Sequence, residues 1–347
     1  MTEPPIRPSK RKVPKRGRPI RIAPALDAIY NLPRSTMLDF AYSGHETFSL
    51  RISWLPKAVA SLEKGEDPFS DPRVGMTALG LGKNMIQSLA FWVVSTGLAY
   101  RRDGNLVLTD FGLKVLGRKV PGFDPYLEST QTLWLIHWNL CQGSQENGKR
   151  RRPYAWHFFA NVLNSDEITA TEAVDHFAGG PVSSGRDLSG VTLRQHFDVF
   201  VRTYVHGETS GPRSTPEETL DSPLTTIGLL RENGERKLPS GKRDTIYRIN
   251  NGPKPSLSTK TFRYCLHEWW ERAHPHDSSL TVRQVSHSED SPGRVFRLPE
   301  TSIYKILTDL AKSFPKEFEL VESQSQRAIR RKVKWSAETL LEAIYRP

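Results

Sequence analysis

The sequence predicts a mainly α fold with short β-hairpins (α+β). It comprises a winged helix-turn-helix N-terminal domain, a helical C-terminal domain and a closing segment compatible with a second winged-helix-like unit. Three observations lead there. The stretch from Asp71 to Gly117 reads helix, glycine turn, helix, hairpin, helix. The middle of the chain carries apolar runs at helical spacing, such as TLWLIHWNL. Residues 302–345 then repeat the order helix, hairpin, helix.

In chain order, residues 1–36 form a basic, proline-rich arm. Eight Lys or Arg stand between Arg7 and Arg21 with no acid among them, so with Glu3 the first 21 residues hold +7 of a net +11. The other 326 residues carry only +4 and are nearly balanced. Such an arm has too little apolar surface to fold alone. Its core, Lys15-Arg16-Gly17-Arg18-Pro19, resembles an AT-hook. There the glycine lets the backbone reach the floor of a narrow minor groove, and the flanking guanidiniums follow its negative potential. The plainer reading is a sequence-tolerant polycation with steep salt dependence.

Residues 37–120 are expected to be the winged-helix domain. His45, Glu46 and Arg51 cluster before a helix spanning about 54–64. A His-Glu pair can do acid–base work or hold a metal, but no second ligand pair accompanies it. Glu46 paired to Arg51, with His45 locking a loop, is the structural alternative. Asp71-Pro72 caps a short helix to Leu79, and Gly80-Leu81-Gly82 supplies a turn. The next helix, 83–95, has Ile86, Leu89, Ala90 and Val93 on one stripe. Its polar side offers Lys83, Asn84, Gln87 and Ser88 near the end that meets base edges in helix-turn-helix proteins. Asp103-Gly104 marks a hairpin whose Arg101 and Arg102 suit a wing touching the DNA backbone. Partner docking or a plain scaffold would show the same layout.

Residues 121–206 read as a helical domain, interrupted by a loop with the basic run Lys149-Arg150-Arg151-Arg152, a second candidate backbone contact. Residues 207–257 are a loop-rich connection with short strands, and GETSGPRSTPEE reads as an exposed linker by composition. The last segment, 258–347, begins with a helix whose inner face is Phe262, Cys265, Leu266 and Trp269. It continues with a helix over 302–313, a hairpin made basic by Arg327, Arg330, Arg331 and Lys332, and a helix capped by Ser336. Arg330 and Arg331 are candidate DNA contacts.

Several classes find no support. No run approaches 18 apolar residues, so no membrane span is expected. No apolar leader is seen, so a cytoplasmic, nucleoid-associated protein is expected. Cys141 and Cys265 are too few for a disulfide framework or thiolate zinc site. His267, His274 and His276 lack completing ligands. LGLGKN fails as a phosphate loop, because Thr77 stands where a glycine is needed and Asn84 follows Lys83. No catalytic residue, metal or cofactor is assigned.

Six stretches together resemble the DUF4007 family: SGHETFSLRISWL at 43–55, LGLGKNMIQSLAFWVVSTGL at 79–98, LTDFG at 108–112, DPYLESTQTLWLIHWNL at 124–140, SPLTTIGLL at 222–230 and GPKPSLSTKTFRYCL at 252–266. The resemblance covers roughly 40–345 and leaves the basic arm outside. It implies a prokaryotic protein linked to DNA phosphorothioation and defence gene clusters, and it carries no assigned catalytic residues. The expected function is a non-enzymatic DNA-binding accessory protein with double-stranded DNA and defence or modification proteins as partners. The alternatives are an adaptor that docks a modification or restriction enzyme, and a metal-dependent nuclease using His45 and Glu46.

Overall fold

Local signals place the first elements of the chain. A computed structural model describes residues 38–120, 122–146, 149–181, 188–206, 222–238, 241–323 and 326–346. The basic arm and the 207–221 linker, and with them Lys15, Arg16, Gly17, Arg18 and Pro19, lie outside the described residues. After strand β1 (Leu38–Ala41) come helices α1 (Trp54–Glu63), α2 (Pro72–Leu79) and α3 (Lys83–Ser95). Asp71 caps α2 by accepting from Arg73 N–H, and Gly80 closes it at φ 67°. Strands β2 (Ala99–Arg102) and β3 (Asn105–Leu108) pair antiparallel across Asp103 and Gly104, both left-handed at φ 51° and 82°. That is the geometry a two-residue hairpin of this twist requires. Thr109 then caps α4 (Asp110–Leu116) by accepting from Gly112 N–H.

Gly112 is where α4 meets the hairpin. A Cβ there would stand 2.2 Å from the Leu98 carbonyl oxygen. Because that neighbour is backbone, Gly112→Ala is expected to cost about 1–3 kcal/mol through overpacking. Urea unfolding checks this, and an unchanged midpoint would contradict the packing.

The middle of the chain departs from a purely helical expectation. Helix α5 (Thr130–Gln142) leads into strands β4 (Ser144–Glu146) and β5 (Lys149–Pro153). The basic run expected in a loop is therefore a strand, paired antiparallel to β4 and parallel to β1. The extended backbone satisfies its hydrogen bonds on both edges, which a loop tip would leave to water. Helix α6 (Tyr154–His157) runs on as a π-helical turn, Phe158–Val162. Strand β6 (Glu167–Thr169), helices α7 (Ala170–Ala178) and α8 (Gly190–Tyr204), and the hairpin β7 (Leu230–Lys237) and β8 (Arg243–Ile249) follow. Their sheet has the order β6-β8-β7.

The last segment holds α9 (Thr259–Ala273), β9 (Ser279–Thr281), α10 (Val282–His287), α11 (Pro292–Val295), α12 (Glu300–Ser313), the hairpin β10 (Phe318–Glu322) and β11 (Arg327–Arg331), and α13 (Ala337–Tyr345). One continuous cluster of buried apolar residues runs from Phe40 to Ile344. Seven of the eight tryptophans are buried. One buried polar chain in this core is fully matched: Tyr204 Oη accepts from Trp156 Nε1 at 2.8 Å and donates to His137 Nδ1 at 2.7 Å, whose Nε2–H donates to Val295 O at 2.9 Å. Among the described residues, no helix is long and apolar enough to cross a membrane.

Candidate nucleic-acid interface

Helix α3 buries Ile86, Leu89, Trp92 and Val93, so its opposite edge faces outward. Lys83, Asn84 and Gln87 are exposed there, and their side chains have no partner among the described residues. Ser88 is corrected: it is fully buried, because it shares a stripe with Trp92 and Ser95 on the inward flank. On the adjoining hairpin, Arg102 is exposed and Arg101 half-buried.

Beside α3 opens a cavity of about 320 Å³, lined by Glu46, Gln87, Phe91, Arg101 and Arg151 among others. Strand alternation explains how Arg151 arrives there. Side chains two apart on β5 share a face, so Arg151 turns to the cavity while Arg150 and Arg152 turn to Asp290. Arg152 is corrected as a DNA contact. It is buried and meets Asp290 with two parallel bonds of 2.8 and 2.7 Å. Arg150 lies 3.7 Å from the same carboxylate and donates to Gln142 Oε1 at 2.9 Å, so the inner face of the strand also takes Arg150. Burial alone would raise the Asp290 pKa, but Arg152 and Arg150 hold it well below the usual carboxylate range. Lys149 remains exposed.

The His45-Glu46 stretch builds one wall of the cavity. His196 Nε2 accepts the Ala155 backbone N–H at 2.9 Å, which puts the His196 proton on Nδ1. That nitrogen donates to His45 Nε2 at 2.8 Å, and His45 Nδ1–H donates to the Glu46 carbonyl at 2.8 Å. Burial drives both imidazoles neutral, His45 down to about 4 and His196 well below its ordinary value. Both nitrogens of His45 are thus used inside the protein. Glu46 sits in the left-handed region at φ 53°, and its carbonyl also accepts from Gln195 at 2.6 Å. Strain of this kind persists only where its surroundings enforce it. The expected Glu46–Arg51 pair is not made among the described residues; Arg51 instead lies over the rings of Phe48 and Trp54 at 5.7 and 5.4 Å. His196 was missed as a partner of His45, although Leu193, His196, Phe197 and Phe200 at i, i+3, i+4 and i+7 mark it as inward-facing.

The distal basic residues separate in the same way. Arg331 is corrected: its side chain is buried over Trp270 at 5.1 Å and ion-paired with Glu271. Arg330 is exposed and lies 3.5 Å from Glu319 across the hairpin.

Three side chains could gather a metal ion by distance, His157, Glu289 and Asp290. They do not fit one. Arg152 donates to both Asp290 and His157 Nδ1, the latter at 2.7 Å, and Arg150 and Arg272 add positive charge around the carboxylate. A cation there would compete with three guanidiniums.

Residues 42–345 match the family described as Protein of unknown function (DUF4007). Two crystal structures share the fold. One is magnesium ion-bound SspB, with a TM-score of 0.74 and 24% identity over 88% of this chain and 89% of that one. The other is SspB, with a TM-score of 0.75 and 23% identity over 90% of each chain. No curated protein matches the sequence.

Proposed function

The chain belongs to the DUF4007 family, and from that premise we propose that it is a non-enzymatic DNA-binding accessory protein that meets duplex DNA through α3. The observation that carries this reading is the free polar edge of that helix: Lys83, Asn84 and Gln87 stand exposed with no side-chain partner among the described residues. Helices α1 to α3 with the β2–β3 hairpin act as a winged helix-turn-helix, α3 entering the major groove and Arg102 meeting the backbone. Asn and Gln have the paired donor and acceptor that read adenine, and Lys meets guanine or phosphate. The basic arm, with its Arg16-Gly17-Arg18 core, adds sequence-tolerant attraction.

Two properties support a binding role over catalysis. His45 has no free ring nitrogen to offer a substrate. Although magnesium accompanies one SspB structure, the His157, Glu289 and Asp290 group does not suit that ion here, so no metal step is invoked. The partners follow from the family reading: proteins of a prokaryotic DNA modification or defence system. An adaptor role has its own supporting observation in Val74 and Met76, which are 50% and 46% exposed on α2.

The test is fluorescence anisotropy on a duplex over a salt series. A Lys83→Ala, Asn84→Ala, Gln87→Ala triple variant is expected to bind at least about tenfold more weakly, since one good base contact is worth about 1–3 kcal/mol. Deleting residues 1–36 is expected to flatten the salt slope, by about 0.9 for each phosphate that the arm no longer neutralises. Unchanged duplex affinity in the triple variant would transfer DNA binding to the arm and leave the folded body as an adaptor.

A further inference from the structure

The winged-helix reading of α1 to β3 has a counterpart at the far end of the chain. There the order is helix α9, strand β9, helices α10 to α12, then the β10–β11 hairpin. The sheet is antiparallel in the order β10-β11-β9, so the strand that precedes the helices pairs with the second strand of the hairpin. Each hairpin is followed by a closing helix, α4 in one case and α13 in the other. Those two helices meet through the Lys114–Glu338 ion pair, and nearby Phe123 stacks on Tyr345 with centroids 4.9 Å apart. By position, α12 is to the second unit what α3 is to the first.

The outer surface of α12 is suited to the same ligand. Ile303, Leu307 and Leu310 are buried on its inner side. Opposite them, Thr301, Lys305, Thr308 and Lys312 follow at steps of four, three and four. At 100° per residue they fall within a stripe about 60° wide. Thr301, Lys305 and Lys312 are exposed, and their side chains have no partner among the described residues. Thr308 is half-buried and donates to the Tyr304 carbonyl at 2.8 Å, which leaves its oxygen able to accept. The stripe holds two ammoniums and two hydroxyls and no carboxylate. Asp309 lies on one flank, and Glu300 on the other is held by His287 at 3.0 Å.

The hairpin arginines contribute less. Arg327 lies 3.8 Å from Glu322 and 4.5 Å over the Tyr304 ring, while Arg330 faces Glu319. Cross-strand carboxylates therefore offset the basic run, and the positive edge belongs to the helix. An open groove of about 840 Å³ lies beside the first turn of that helix, with Glu300, Thr301 and Tyr304 on one side, Gln326 and Arg327 on another, and exposed Arg283 also lining it; Thr301 is the stripe residue it reaches.

We infer that α12 is a second duplex-contacting helix, so that the chain engages DNA at two places through a duplicated motif. A polyanion is the occupant that this stripe matches by charge, and its hydroxyls suit phosphate oxygens and base edges. The inference rests on the reading of α3 and extends it from one contact to two. A single helix needs about one turn of duplex, roughly 10 base pairs, whereas two contacts need at least a second turn.

The experiment compares the full chain, Lys305→Ala/Lys312→Ala and the Lys83/Asn84/Gln87 alanine variant on duplexes of about 12 and about 30 base pairs, the lengths bracketing one and two such contacts. All substituted side chains are exposed, and unchanged circular dichroism and melting confirm the fold. Wild type is expected to bind the longer duplex at least tenfold more tightly. The Lys305/Lys312 variant is expected to lose that gain, to protect a shorter stretch from hydroxyl radicals and to show a salt slope lower by about 2, one phosphate per ammonium. If that variant keeps wild-type affinity, footprint and slope while the α3 variant weakens, the inference falls and the α3 reading stands. If the Lys305/Lys312 variant alone weakens, α12 is a duplex contact but the α3 reading falls, and the two-contact inference falls with it. If wild type binds neither duplex, both fall. Loss of a co-purifying protein from the Lys305/Lys312 variant with wild-type duplex binding would make the stripe a protein-docking face and also overturn the inference.

Discussion

Lowering the pH from 7.5 to 5.5 is expected to remove on the order of 5 kcal/mol from the stability of the fold. Five histidines carry the effect. Burial pushes His45, His137, His157 and His267 down to about 4, and holds His196 well below its ordinary value. In an unfolded chain each would titrate near 6.5. Above that pH both states are neutral, and the histidines add no slope. As the pH falls from 6.5 toward 4, the unfolded chain takes up protons that the folded chain refuses. Stability then drops by about 1.4 kcal/mol per pH unit for each histidine. The total is comparable to the whole stability of many domains. Urea unfolding at several pH values measures it, and replacing His45 by Gln should lower the slope by about one proton. A flat profile between pH 7 and 5 would show that these imidazoles are not held neutral.

Asp290→Asn is expected to cost about 3–5 kcal/mol, the usual result of leaving a buried charge without its partner. Asn keeps the shape and tolerates the left-handed backbone at φ 60°, so the loss is one of charge. It strands Arg152, which is buried, and removes the carboxylate facing Arg150. Asn161, whose side-chain amide donates to Asp290 at 2.8 Å and accepts from its backbone N–H at 2.9 Å, would keep only the second bond unaltered. A companion Arg152→Met, Asp290→Asn variant should recover part of the loss, because no lone buried guanidinium remains at position 152. Equal stability of Asp290→Asn and wild type in denaturant would remove the ion pair from any role in joining β5 to the C-terminal segment.

What the sequence read correctly follows one pattern. The bounds of α2 and α3, the Asp103-Gly104 turn, the Ser336 cap and the inner face of α9 were legible because each depends on residues within a few positions. The exposed edge of α3 was legible for the same reason: helical spacing alone separates Lys83, Asn84 and Gln87 from Ile86 and Leu89. Ser88 escaped that reading because it lies on the border of the apolar stripe, where only the packed neighbour decides.

By itself, then, the sequence determined the local elements, their caps and turns, the polar edge of α3 and membership of the family. Tertiary structure decided the fate of the charged clusters. Lys149 to Arg152 look alike in sequence, yet β5 turns Arg151 toward the cavity and buries Arg152 against Asp290, 138 residues away. His45 and His196 likewise become one relay across 151 residues. Whether a charged side chain faces water or a buried partner depends on which distant segment packs over it, and helical or strand periodicity holds no record of that.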